Sequence, residues 1–331
     1  MWFESLTGFR EESTDQVRAN ILVDGETMVS TANGREMICG RLETPTLAEL
    51  RARVLAENLP QGRLRLSEVV NDVQRIHTEP ADSGAFFQVA SQFNLLEMVS
   101  PSVTPEAGVG IYENDRTQGP ACAIACGAGT IYRNYFAEVN GVVGQSADHQ
   151  IDCLRDLGKA LGNDESQLWI MQNGYALASK AGLRAISQRI SAADESELDS
   201  LRETLRIGVH WNTQVTLGDC AHTVTQAYCS ALPVAYSPHS ADSWADFAQL
   251  VLEAAYEATL SVAALNRTRT GNDRVFLTLL GGGAFGNRDA WIFGAIERAL
   301  ECFADTPLDV ALVSYGSSNR HVRQLVEQWQ S

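Results

Sequence analysis

VFLTLLGGGAFGN, residues Val275–Asn287, reads as a buried strand running into a glycine loop, with a helical pattern behind it. Val275–Leu280 is a β-rich apolar run without charge, the mark of a strand covered on both faces. Gly281, Gly282 and Gly283 let the backbone turn tightly and approach a ligand with no side chain in between. Ala290–Phe303 then sets Trp291, Ile292, Ala295, Ile296, Ala299 and Leu300 at helical spacing, with Asp289 as the expected N-cap. A strand, a glycine turn and a helix N-terminus make an anion site, because free N–H groups and the helix dipole point at one spot. An ordinary glycine-rich βα turn would give the same letters.

Outward from this stretch, Ser243–Asn266 is a long amphipathic helix, Leu308–Ser314 a last strand and Arg320–Trp329 a last helix. The final third thus alternates helix, strand, helix, strand, helix. That is a wound α/β sheet, and such sheets take ligands beyond the carboxyl ends of their strands. Upstream, Ile21–Val23 and Glu36–Arg41 read as short strands, and Leu47–Asn58 as a helix capped by Thr46. Leu66–Ile76 is a second helix candidate. Ala85–Ala90 is a short apolar strand ending at SQFN, and Val224–Val234 a strand leaving into a loop. Ser100–Gln118, rich in Pro, Gly and polar residues, is a long loop of the kind that is usually functional or mobile. No linker divides the chain. One domain over 1–331 is expected, with 1–80 as an N-terminal elaboration and 81–331 as the core with insertions.

Charge narrows the function. Of 331 residues, 45% are hydrophobic and 20% charged, and the net charge is −16. With no basic stripe, neither nucleic acid nor an anionic membrane is an expected partner. A phosphate ligand would have to be held by backbone donors rather than a Lys/Arg clamp. The start, MWFESLTGFREE, lacks a signal-peptide pattern, and no apolar run has the length of a membrane helix. The seven cysteines are an odd count, several in apolar runs where a reduced thiol is expected, so a cytoplasmic location follows as an expectation. Cys122 and Cys126 are four apart, but no Cys/His set completes a zinc site, and no metal is expected.

The order of long helix, LTLLGGGAFGN, helix and LDVALVSYG resembles the C-terminal half of a macrodomain. There a glycine loop of the form G-x-G-[small or apolar]-[aromatic]-G holds the diphosphate of ADP-ribose. The matching residues are Gly281, Gly283, Ala284, Phe285, Gly286 and Asn287, with Gly282 between the first two. The resemblance covers residues 245 to 325 and implies a three-layer α/β/α sandwich. It also implies that Phe285 packs by the distal ribose. Upstream, ASQFN at 90–94 and the loop PEAGVGIYENDRTQGPA are similar to macrodomain hydrolases of the poly(ADP-ribose) glycohydrolase type. In that type the catalytic loop contains a Gln followed by two Glu. Gln118 matches the Gln, but Gly119 and Pro120 stand where the acids belong. TQGPACA and CSALPVAYS resemble a divergent ADP-ribosylhydrolase branch that includes effectors acting on ADP-ribosylated ubiquitin. The resemblance implies ADP-ribose as ligand, no cofactor, and an ADP-ribosylated protein, ubiquitin among them, as partner.

Cleaving an ADP-ribose glycosidic bond passes through an oxocarbenium-like state. It needs a carboxylate, or a phosphate-held water, near the anomeric carbon and a proton for the leaving group. The long loop offers Glu113 and Asp115 beside Gln118, although ENDR is also good turn composition. Asn94, with Gln92 and Ser91 behind it, suits ribose hydroxyls or a turn. Asp148 and Asp152 would share a face if helical, with His149 between them. Asp219, His222, Cys229 and Ser230 could be imagined as a triad, but no G-x-S-x-G elbow holds Ser230. Trp211, Tyr112, Tyr236 and Tyr315 are aromatic candidates for an adenine wall or for packing, and Tyr315 could border the distal ribose. Three classes stay open. They are an ADP-ribosylhydrolase, a reader that binds ADP-ribose without cutting it, and an unrelated nucleotide-binding α/β enzyme.

Overall fold

The computed structural model describes residues 1–330. Its centre is a sheet of seven strands: β1 (Arg41–Glu43), β2 (Arg65–Val70), β3 (Phe86–Ala90), β4 (Gly208–Gln214), β5 (Thr223–Cys229), β6 (Arg274–Leu277) and β7 (Asp309–Ser314). Their order is β1-β4-β5-β3-β6-β7-β2. The five strands β5, β3, β6, β7 and β2 run parallel, and β4 runs antiparallel to both its neighbours. As the uncharged run at 275 and the nearly uncharged run at 308 imply, β6 lies in the interior with β7 beside it.

Alternation along β3 makes the layers. Phe87 stacks on His77 of the helix Val73–Thr78, while Gln88 on the opposite face donates to Thr259 of the helix Ala245–Thr270. The long helix is the keel of its layer and packs on the helices Leu47–Ala56, Lys180–Ala192, Glu195–Glu203 and Asp289–Cys302. The other layer holds Val73–Thr78, Gln118–Ala125 and Gly127–Tyr135. The fold is therefore the three-layer α/β/α sandwich. A second, smaller core sits beside it. Phe3, Leu6, Val17 and Ile21 pack there with Leu96, Met98, Val109, Tyr112 and Ile131.

Several elements differ from the sequence reading, each for a local reason. β6 ends at Leu277, not Leu280, because the Thr278 N–H leaves the ladder for the Gln88 side chain and the Leu280 N–H goes to the Tyr256 hydroxyl. Leu66–Ile76 is not one helix. It holds most of β2, then a helix opening after Asp72, whose carboxylate accepts from the Gln74 N–H. Strand pairing with β7 outweighs helical spacing there. β5 stops at Cys229, before Pro233. Asp289 is the first helical residue rather than the cap, and its carboxylate pairs with His321 at 3.0 Å. Asp148 and Asp152 lie ahead of the helix Arg155–Leu161, so they do not share a helical face. Thr46 caps the helix Leu47–Ala56 as expected, and Glu49 completes a capping box with it.

Candidate functional site

The carboxyl ends of β3 and β6 open into one cavity of about 200 Å³. One wall is the glycine loop, contributing Gly281, Gly283, Ala284 and Phe285. The opposite wall is the segment that follows β3 and the start of the helix Gln118–Ala125.

The glycine loop closes on itself. Gly282 N–H donates to Leu279 O, Gly286 N–H to Gly283 O and Asn287 N–H to Gly281 O. Gly283, Ala284 and Phe285 line the cavity, and their N–H groups are not among those bonds. Gly281 has φ 76°, and a Cβ there would meet Ala231 Cβ and the Asn287 amide. Only glycine fits at that point. Asn287 stays out of the cavity and braces the loop, its Nδ2 donating to Leu232 O at 2.8 Å. Phe285, Tyr175 and Tyr236 form an aromatic corner, with ring centres 5.0 to 5.6 Å apart. This is a broad apolar face for a ring.

The opposite wall carries the carboxylates. Asp115 lines the cavity and accepts from Thr117 N–H at 2.8 Å, which fixes the turn into the helix. Gln118 also lines it, but its amide is spent: it accepts from Ala90 N–H and donates to Gln88 O and Cys122 Sγ. It therefore clamps the helix to β3. Gln92 lines the cavity and holds the next loop, accepting from Met98 N–H. Asn94 is turned away into the interior, donating to Gln150 and accepting from Leu96 N–H. Glu113 is exposed, and its carboxylate accepts from Trp2 N–H at 3.3 Å. Glu113, Asn94, Gly282, Gly286, Asn287 and Tyr315 are not part of the cavity wall, and Tyr315 is 79% exposed.

Other candidates are accounted for elsewhere. Trp211 is buried, donates to Glu43 and lies under the Arg269 guanidinium. Asp219 pairs with Arg35, and His222 bonds the His77 carbonyl, so the imagined triad with Cys229 and Ser230 does not assemble. Asp152 is turned to its own backbone, accepting from Leu154 N–H. No cluster of three or more metal-ligating side chains occurs among the described residues.

Glu97 is the residue the sequence reading passed over. It lines the cavity yet is only 2% exposed. Neither carboxylate oxygen has a hydrogen-bond partner among the described residues. Burial pushes its pKa up to about 8, against the pull of Arg133, whose Nη2 stands 3.8 Å away. Arg133 is itself buried, donates to Leu95 O and Thr130 and lies over the Tyr228 ring. The available signal was a lone acid inside the apolar run LLEMV.

The wall holds two acids and no Lys or Arg.

No family model matches the chain, and no curated protein does. Among solved structures, a variant of poly(ADP-ribose) glycohydrolase from Deinococcus radiodurans in complex with ADP-ribose superposes with TM-score 0.47 at 12% identity. The match covers 88% of this chain and 94% of that one. The same enzyme from Thermomonospora curvata gives TM-score 0.43 at 12% identity, over 96% of each chain.

Proposed function

We propose that this chain is an ADP-ribosylhydrolase. It binds ADP-ribose with the diphosphate on the Gly281–Phe285 backbone and hydrolyses the glycosidic bond that joins the distal ribose to a modified protein. The observation that carries this reading is a single cavity with two unlike walls. One offers uncommitted N–H donors and no cation, and the other offers carboxyl groups. A diphosphate fits the first and an oxocarbenium-like state needs the second. The glycine-loop motif points the same way, and the solved glycohydrolases of similar chain path include complexes with ADP-ribose. Asp115 is the carboxylate assigned to steady the ribosyl cation.

The reader alternative rests on a specific feature. Gln118 is occupied with the backbone of β3, and Gly119 and Pro120 follow it where acids would be expected. Calorimetric titration with ADP-ribose, AMP and ATP tests the ligand, with ADP-ribose expected to bind well above the others. Release of ADP-ribose from proteins labelled through Arg, Ser or Glu/Asp, ubiquitin among them, tests turnover. Binding without release from every linkage makes the chain a reader.

A further inference from the structure

We infer that Glu97 is the general acid of this site, delivering its proton to the leaving group and taking one back from water. The inference rests on the hydrolase reading above.

Space carries the argument. The helix start that should supply an acid has Gly119, and a Cβ on Gly119 would run into the Ala90 carbonyl oxygen. No side chain of any kind fits there. The same absent Cβ would lie 3.1 Å from Glu97 Cγ. The Glu97 stem thus packs against the room that glycine leaves free, beside the head of the Gln118 helix and from another segment. What residue 119 lacks in sequence, residue 97 supplies in position.

The setting keeps that carboxyl poised. Leu96 and Met98 on either side are anchored in the smaller core, and the Glu97 N–H donates to the Tyr112 hydroxyl at 3.1 Å. Backbone and neighbours are fixed while the carboxyl oxygens stay unbonded. The groups acting on it electrostatically are Arg133 from the helix Gly127–Tyr135, Tyr112 and Asp115 from the long loop, Cys122 from the Gln118 helix and Tyr228 from β5. Arg133 by its charge and the nearby Tyr112 hydroxyl favour the anion; Asp115 favours the neutral acid. With its pKa raised to about 8, the group holds a proton at neutral pH and can release it beside a waiting guanidinium.

The step balances. The Glu97 O–H gives its proton to the leaving atom as the bond from the anomeric carbon breaks, and the electron pair of that bond stays on the leaving atom. Asp115 faces the ribosyl cation. A water oxygen then bonds the anomeric carbon, and its surplus proton returns to Glu97.

Glu97→Gln keeps size and hydrogen bonding and removes the proton. On a natural linkage it is expected to lose roughly 10²-fold or more in kcat while ADP-ribose affinity stays within twofold. It should also lose the alkaline limb of the pH–rate profile. An aryl ADP-ribose, whose acidic phenol leaves without a proton, should be cut by Glu97→Gln within tenfold of the parent rate. A purely structural role would slow both substrates alike, and that result overturns the inference. Unchanged turnover of the natural linkage also overturns it and leaves the hydrolase reading standing. A parent protein that cuts neither substrate removes the hydrolase reading, and Glu97 as its acid with it.

Discussion

His77 and Glu97 titrate in opposite senses. His77 is wholly buried, stacked on Phe87 at 3.7 Å, with Nδ1 at Val73 O and Nε2 at the Gln226 amide. Gln226 Nε2 also donates to Cys122 O, so the amide faces His77 with a donor, and the ring accepts at Nε2 and donates at Nδ1. That is the neutral form, and burial pushes its pKa from 6.5 down to about 4. Its contribution to stability is therefore whole above pH 6.5 and is lost as pH falls toward 4, by about 3 kcal/mol. In urea melts, the advantage of the parent over His77→Gln should shrink across that window. Glu97 has the reverse sign. Its folded-state pKa is raised, so its contribution is whole below pH 4.5 and is lost as pH rises through about 8. Glu97→Gln should therefore gain stability relative to the parent from pH 4.5 to 8, and a melting-temperature difference that stays flat across that range would refute the protonated state. At the loop, Gly283 has open space around a notional Cβ. Gly283→Glu should fold as the parent does yet lose ADP-ribose binding by calorimetry, because a carboxylate would stand among the N–H donors. Affinity within about twofold of the parent would rule the loop out as the phosphate site.

The elements that carry the carboxyl groups are held by the N-terminal segment. Glu11 accepts from Val109 N–H at 2.9 Å and Gly110 N–H at 2.5 Å, and the Tyr135 hydroxyl donates to it at 2.6 Å. One side chain thus ties the start of the chain to the long loop and to the helix Gly127–Tyr135. Glu11→Ala leaves those N–H groups without their acceptor and should cost about 1–3 kcal/mol. Hydrogen exchange at Val109 and Gly110 should quicken while exchange in β3 and β6 stays slow. Much of the nearer structure was legible before folding was considered. Three glycines after an uncharged apolar run mark a loop at a strand end, and Asp115 in a polar turn beside Gln118 marks a carboxylate at the same site. Asn94 and Glu97 were not legible in the same way. Asn94 faces inward because Gln150 meets it there. Glu97 is buried because Arg133, Tyr112 and the apolar residues of the first turns surround it. Local spacing carries no trace of partners that distant. The Leu66–Ile76 error has the same origin, since β7 decided it from some 240 residues away.

At the scale of the whole molecule, a net charge of −16 and a cavity wall without Lys or Arg would leave the proposed anionic ligand to the backbone. Such a site depends on geometry more than on field strength, and the geometry has two owners. Leu280 and Ala231, at the glycine-loop wall, belong to the large core, whereas Leu96, Met98 and Tyr112, which flank Glu97, belong to the small one. The cavity is a seam between two bodies of unequal cohesion. A core of some fifteen buried side chains has less apolar area to hold it than the sheet and its helices, so it loosens first on heating. Loosening would free the segment around Glu97, while the Gln118 helix stays clamped to β3 and the sheet stays whole. Thermal inactivation should accordingly run several degrees ahead of the loss of far-ultraviolet dichroism, and bound ADP-ribose, by spanning the seam, should bring the two transitions together. Coincident transitions in the unliganded protein would show instead that both cores melt as one. The price of a site assembled across a joint is that its temperature limit is set by the weaker partner, not by the fold.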